Sequence, residues 1–194
     1  VKFYQASTSE IFGNTEIPQS EKTPFRPRSP YAIAKATAYW YILNYRETYD
    51  IFCCTGIMGN HESSLRPKRF VTQKIISTAK LITSGEDIKL TLGNLDTWRD
   101  WGWSPDYVKA MHLMLQNKLP QDFIIATGKT HSLKDFVKKV CHFFDLDFKE
   151  AVNINSQKNS RPADFKYSYL DPSLIYNKLG WKAEKGLDEI IIEM

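Results

Sequence analysis

The sequence predicts an α/β fold, with helices layered against a sheet. Two observations carry that expectation. Strand-like apolar runs alternate along the chain with helix-length segments, the pattern of βα units rather than of an all-helical or all-strand protein. The first strand-like run, Val1 to Ala6, also leads into Ser7-Thr8-Ser9. Hydroxyl residues at the C-terminal end of a strand lie where open α/β sheets bind their ligands.

The elements follow in order. Residues 1–6 read as a strand. Ser29 is a good N-cap and Pro30 suits the first helical position, so a long helix is predicted over 30–48, with Tyr39, Trp40, Leu43 and Tyr45 among its apolar positions. Phe52 to Met58 reads as a buried strand, and Asn60 to Arg69 as a polar, basic loop. Phe70 to Thr83 is a helix that stops near Gly85. Ile88 to Leu92 is a short alternating strand, Asp106 to Asn117 a helix and Phe123 to Ala126 a strand. Ser132 caps a helix running to about Phe144, with Asp135 three residues on as in a capping box. Asn153 to Ser160 is polar and reads as a loop. Asp171-Pro172 starts a helix that Gly180 stops, and Leu187 to Met194 begins another. No repeat or low-complexity segment interrupts this order.

Composition narrows the class. With 194 residues, 42% hydrophobic and 25% charged, the chain can build one good core, or one domain plus part of another. Its 13% aromatic content argues against disorder. A net charge of +4 suits a small anionic ligand and equally a solvated surface. No dense Lys/Arg block points to nucleic acid, and no apolar run is long enough to span a membrane. Cys53, Cys54 and Cys141 lack metal-ligand spacing. Their odd number and adjacent pair fit free thiols in a reducing, cytoplasmic compartment. His112, His131 and His142 lie on separate segments and form no metal site.

Chemistry concentrates near the start of the chain. Tyr31 and Lys35 are four residues apart on one predicted helix, so they share a face. An ammonium beside a phenol favours the phenolate, and so does the positive N-terminal end of a helix. Tyr31 is thereby expected to have a lowered pKa and to take a proton from an alcohol whose carbon loses a hydride. Glu10 offers a second proton-transfer group, and Thr8 a hydroxyl to hold the substrate oxygen. An ordinary amphipathic helix, with Tyr31 half buried and Lys35 solvated, would show the same Tyr-x-x-x-Lys spacing.

Several runs together extend this pattern: Phe3-Tyr4-Gln5-Ala6-Ser7-Thr8-Ser9-Glu10, Pro27-Arg28-Ser29-Pro30-Tyr31-Ala32, Gly59-Asn60-His61-Glu62-Ser63, Phe70-Val71-Thr72, Leu92-Gly93-Asn94-Leu95-Asp96 and Arg99-Asp100-Trp101-Gly102. In these the chain resembles the GDP-mannose 4,6-dehydratase family of the extended short-chain dehydrogenase/reductase superfamily. The resemblance is dense to about residue 128 and sparse after it. Epimerases and other sugar dehydratases share the tyrosine–lysine motif. The Thr-Ser-Glu and Asn-His-Glu-Ser segments are more particular to this family.

The resemblance implies the second part of a Rossmann-like parallel sheet with a smaller substrate-binding lobe. Residues 1–59 and 103–127 would be the remainder of the NADP-binding domain, and 60–102 and 128–194 the sugar-nucleotide lobe. It implies conversion of GDP-mannose to GDP-4-keto-6-deoxymannose, on the route to GDP-fucose, with NADP recycled in each cycle. Tyr31 would be the base, Lys35 its partner, Thr8 the hydroxyl ligand and Glu10 the group that removes the C5 proton. Tyr31, Lys35, His61 and Arg66 would meet the cofactor. Asn60 would contact the sugar nucleotide, Val71 and Lys74 guanine, Arg99 and Arg161 the diphosphate, and Asp164 the ribose. The complete protein would be a homo-oligomer, a dimer or tetramer. Two departures from the family's pattern stand out. Ser63-Ser64-Leu65-Arg66-Pro67 replaces the usual Ser-Pro-Arg-Arg-Gly, and Trp103 stands where histidine is common.

A dinucleotide enzyme needs a glycine-rich turn to hold the cofactor's pyrophosphate. None of the nine glycines here builds one, and the chain opens inside a strand without an initiator Met. The expectation is a fragment missing earlier βαβ units of about 30 residues each, inactive alone. The alternatives are another nucleotide-sugar dehydratase or an epimerase, which needs no C5 base, and a non-catalytic nucleotide-sugar-binding remnant.

Overall fold

The computed structural model describes residues 1–155 and 166–194. Three parallel strands form the main sheet, in the order β1 (Phe3–Thr8), β2 (Cys53–Met58) and β7 (Phe123–Ile125). β1 pairs with β2 from Phe3↔Cys53 to Thr8↔Met58, and β2 with β7 from Gly56↔Phe123 to Met58↔Ile125. The expected α/β architecture with a parallel sheet is present.

Side-chain alternation gives the sheet two apolar faces. Cys54, Met58, Phe123 and Ile125 turn to one side, where Tyr107, Ala110 and Met114 of α3 (Ser104–Gln116) meet Ile175 of α6 (Ser173–Leu179) and Trp181. Ile57 and Ile124 turn to the other, against Ile11, Phe12 and Ala36.

Ala36 belongs to α1 (Pro30–Tyr49), the crossover between β1 and β2. Ser29 caps it by accepting the Ala32 amide at 3.0 Å. Its buried residues are Ala32 and Ala36, whereas Trp40 and Tyr45 of the expected apolar set are 58% and 48% exposed. The reason is steric: small alanines let the helix lie close to the sheet, and the aromatics turn outward. At its far end Arg46 grips Asp122 through two guanidinium nitrogens, at 3.2 and 2.5 Å, while Asp122 accepts the Thr55 amide at 2.6 Å. This bidentate pair ties the helix to the middle strand and so fixes the axis on which Tyr31 sits.

A second core joins α2 (Val71–Thr83), α4 (Leu133–Phe143) and α7 (Leu187–Glu193) around Ile75, Ile76, Phe136, Val137, Val140 and Ile190. Ser132 caps α4 as expected, its hydroxyl accepting the Asp135 amide at 3.0 Å, but Asp135 Oδ2 takes its hydrogen bond from that hydroxyl at 2.6 Å, so only half of the expected capping box is formed. Gly180 ends α6 with φ +67°, a left-handed conformation that glycine adopts without strain.

Other elements correct the sequence reading. Asn60–Glu62 is not loop but strand β3, parallel to β6 (Trp101–Trp103), with His61 opposite Gly102. Asn153 lies in β9 (Val152–Ile154), which pairs with β4 (Leu90–Leu92). β5 (Trp98–Arg99) pairs antiparallel with β8 (His131–Ser132). The four-residue α5 (Phe148–Ala151) precedes β9. Among the described residues no helix is long and apolar enough to cross a membrane.

Candidate active site

The site is built at the C-terminal end of β1. Thr8 is the last residue of that strand, and its Oγ1 accepts the Glu10 amide at 3.3 Å, capping the single 3₁₀ turn Ser9–Ile11. The turn carries the Glu10 carboxylate toward α1, where Oε2 accepts from Ser29 Oγ at 3.3 Å. Ser29 therefore does two things: it starts the helix that bears Tyr31, and it holds the acid. The sequence reading identified only the first.

Tyr31 stands in the first turn of α1 with 52% of its surface exposed, so its phenol is open to a ligand. Partial burial of its hydroxyl raises its pKa above 10, and the Glu10 charge adds to the rise. A hydrogen bond with Thr8 and the Arg66 charge work the other way. This corrects the expected lowering of the Tyr31 pKa by Lys35. The Lys35 ammonium lies 5.8 Å from the centre of the Tyr31 ring and donates to the Ala6 carbonyl at 2.8 Å. It is committed to the strand end rather than to the phenol.

Arg66 follows β3. It pairs with Glu62 at 3.2 Å, and its guanidinium stacks 3.8 Å from the centre of the Phe70 ring. Glu62 is buried and accepts from Thr72 Oγ1 at 2.7 Å. The His61 ring lies 5.3 Å from that of the fully buried Tyr107, with Nδ1 3.1 Å from the Gly59 carbonyl. Burial lowers the His61 pKa, the hydrogen bond with the Gly59 carbonyl opposes that, and the Arg66 charge lowers it further.

Of the remaining candidates, Lys74 and Arg99 are engaged with backbone. Lys74 donates to the Thr91 carbonyl at 2.6 Å, and Val71, the first residue of α2, is 39% exposed. Arg99 donates to the Trp98 carbonyl at 2.8 Å. Asn60 is half buried at the start of β3. Arg161 and Asp164 lie outside the described residues. Trp103 packs at the edge of the second core, with the Lys185 ammonium 5.4 Å above its ring. No cluster of His, Cys, Asp and Glu among the described residues could hold a metal ion.

The structure thus gathers Thr8, Glu10, Tyr31 and Lys35 at one strand end, with Arg66 close enough for its charge to reach the phenol. Asp100 is a structural carboxylate that the sequence reading did not single out. It is buried and accepts from the Thr127 amide at 3.0 Å, the Thr127 hydroxyl at 2.9 Å and the Gly128 amide at 2.8 Å. It thereby locks the turn after β7 to the β5–β6 junction. Its Arg-Asp-Trp-Gly context was the only signal available in the sequence.

Whether these residues suit a nicotinamide cofactor can be tested on Lys35. An ammonium has three donors and Lys35 spends one on Ala6, leaving others for ribose hydroxyls beside an open phenol. The residues fit the nicotinamide end of such a cofactor. A glycine-rich pyrophosphate loop is not among the chain's own segments.

Comparison with known proteins accords with this geometry. The family model for GDP-mannose 4,6 dehydratase matches residues 1–194. GDP-mannose 4,6 dehydratase 2 of Arabidopsis thaliana is 46% identical over 191 residues, 98% of this chain and 51% of its own length. The chain thus spans about half of such curated relatives. In fold it is similar to dTDP-glucose 4,6-dehydratase from Bacillus anthracis, solved with NAD. The TM-score is 0.85 at 20% identity, covering 98% of this chain and 60% of that one. It is likewise similar to RMD from Pseudomonas aeruginosa, solved with NADPH. There the TM-score is 0.86 at 18% identity, covering 99% and 63%.

Proposed function

The chain belongs to the GDP-mannose 4,6-dehydratase family, and from that premise we propose that it supplies the catalytic residues of a GDP-mannose 4,6-dehydratase. The observation that carries the reading is the convergence of an open phenol, a hydroxyl and a carboxylate at one strand end, with Glu10 tied through Ser29 to the helix of Tyr31.

In this reading Thr8 holds the C4 hydroxyl of the mannosyl group and Tyr31 takes its proton. Thr8 and Arg66 pull against the rise that burial and the Glu10 charge impose on the phenol, which leaves its pKa raised. A nicotinamide cofactor would supply hydride chemistry, accepting hydride from C4 and giving it back at C6, and would be recycled within each turnover. Tyr31, Lys35, His61 and Arg66 would hold it, and NADP is the form we assign. The C4 ketone acidifies the neighbouring C–H. Glu10 removes the C5 proton and gives it to the departing C6 hydroxyl, which leaves as water; hydride return at C6 and a proton to C5, made good by the one Tyr31 took from the C4 hydroxyl, leave GDP-4-keto-6-deoxymannose. Val71 and Lys74 would face guanine. Arg99 and Arg161 would face the diphosphate, and Asp164 the ribose. Asn60 would contact the sugar nucleotide.

We assign residues 1–59 and 103–127 to the cofactor-binding lobe and 60–102 and 128–194 to the sugar-nucleotide lobe, with the complete protein a cytoplasmic homo-oligomer. Glu10 argues for a dehydratase over an epimerase, because epimerisation at C4 needs no C5 base. The test is incubation of the complete protein with NADP and GDP-mannose, followed by chromatography for the keto product. Product is expected from the complete protein and not from the 194-residue chain, which lacks a pyrophosphate loop. Absence of product from the complete protein would overturn the assignment.

A further inference from the structure

Arg66 is held in an unusual way for a residue in a polar loop. Its guanidinium lies over the Phe70 ring at 3.8 Å and its Nε is 3.2 Å from Glu62 Oε2. That Nε is buried and has no well-directed hydrogen bond, so its position depends on the ion pair and the stacked ring. Glu62 is only 1% exposed on β3, and the same Oε2 accepts from Thr72 Oγ1 at 2.7 Å. Phe70 and Thr72 flank Val71 at the start of α2, so one helix end grips both members of the pair.

We infer that Glu62 is a positioning residue: held by Thr72, it fixes the Arg66 guanidinium against Phe70 on the catalytic side of the chain. A buried carboxylate is costly unless it has a fixed partner. Burial raises the Glu62 pKa, and Arg66 and Thr72 both pull against that rise. Arg66 in turn reaches outward electrostatically. Its charge favours the Tyr31 phenolate and the neutral His61 ring. The other charged groups around the phenol are Glu10, from the 3₁₀ turn, and Lys35, one helical turn along α1. Glu62 touches none of the reacting atoms and acts through Arg66. The consequence for turnover rests on Tyr31 being the base, but the positioning itself does not.

The experiment uses two signals from this chain, the Arg66 Nε–Hε resonance under ¹⁵N labelling and the Tyr31 ring carbon bearing the hydroxyl under ¹³C labelling, assigned with Arg66→Lys and Tyr31→Phe. In Glu62→Gln the Arg66 Nε–H should exchange with water at least about tenfold faster. The Tyr31 midpoint should rise by roughly a few tenths of a pH unit, as expected when one charge moves a few ångströms away in a wet site. Thr72→Val keeps the carboxylate charge and should move both signals the same way by less, so it carries the test if Glu62→Gln does not fold. An unchanged Arg66 signal would overturn the inference. So would a fall in the Tyr31 midpoint, because Glu62 would then act only as a nearby negative charge. No turnover is measured, so a wrong assignment of the reaction leaves this test intact.

Discussion

Lys35 lies 5.8 Å from the centre of the Tyr31 ring, yet its ammonium is bonded to the Ala6 carbonyl at 2.8 Å. Thr8 rather than Lys35 is the hydrogen-bonding partner that favours the phenolate. Thr8→Val should therefore raise the Tyr31 midpoint, and by more than Lys35→Met does. A ¹³C titration of the phenol in both variants checks the order. A larger shift in Lys35→Met would restore the direct lysine–phenol pairing.

Asp100 gives a pH signature. Burial pushes its pKa up to about 6 in spite of its hydrogen bonds to Thr127 and Gly128. A carboxyl whose pKa is raised on folding holds its proton more tightly in the folded state. Its contribution is therefore fully present below about pH 4 and is lost as pH rises through about 6. The loss is on the order of 3 kcal/mol for a shift of roughly two units. Urea unfolding from about pH 4 to 7 should show less of this decline in Asp100→Asn than in the parent. Parallel curves for the two would remove Asp100 as its source.

Gly102 admits no side chain. A Cβ there would lie 2.3 Å from Tyr107 Cε2 and 2.6 Å from its hydroxyl, and that ring is fully buried. Gly102→Ala should destabilise the chain by about 1–3 kcal/mol, the usual range for overpacking. It should also disturb His61, whose ring lies tilted 5.3 Å from that of Tyr107. A urea midpoint equal to that of the parent would mean that Tyr107 has room to move.

Nucleotide choice can be tested on two cations. Lys74→Met should weaken GDP binding by the complete protein about tenfold or more, the loss of one charged hydrogen bond. It should also lower stability, because the Thr91 carbonyl loses its donor. Arg99→Ala should weaken GDP and UDP alike if it meets phosphate. Calorimetry with both nucleotides separates the roles, and unchanged GDP affinity in Lys74→Met would confine that lysine to structure.

What was legible in the sequence was local. Ser29, Pro30, Ser132 and Gly180 announce helix ends through chemistry confined to a few neighbours, and each does so in the structure. The Thr8–Glu10 segment and the Tyr31–Lys35 pair were visible because each spans only a few residues. The unread parts depend on distant partners. Asn60–Glu62 has no strand pattern of its own and becomes a strand only by meeting Trp101–Trp103. The Glu62–Arg66 pair depends on Thr72 arriving from the next helix, and the Lys74 ammonium on a carbonyl 17 residues away. The direction of the Tyr31 pKa turned on burial, which motif spacing does not report.

The central claim is that Tyr31 and Glu10 act at different carbons in sequence. It is tested most directly by following exchange of the sugar C5 hydrogen in deuterated water with the complete protein, NADP and GDP-mannose. Tyr31→Phe should slow C4 oxidation by ~10²–10⁴-fold, and C5 exchange with it. Glu10→Gln should still oxidise C4, seen as reduced nicotinamide absorbance, while C5 exchange is lost. Continued C5 exchange in Glu10→Gln, or near-normal oxidation in Tyr31→Phe, would contradict the account.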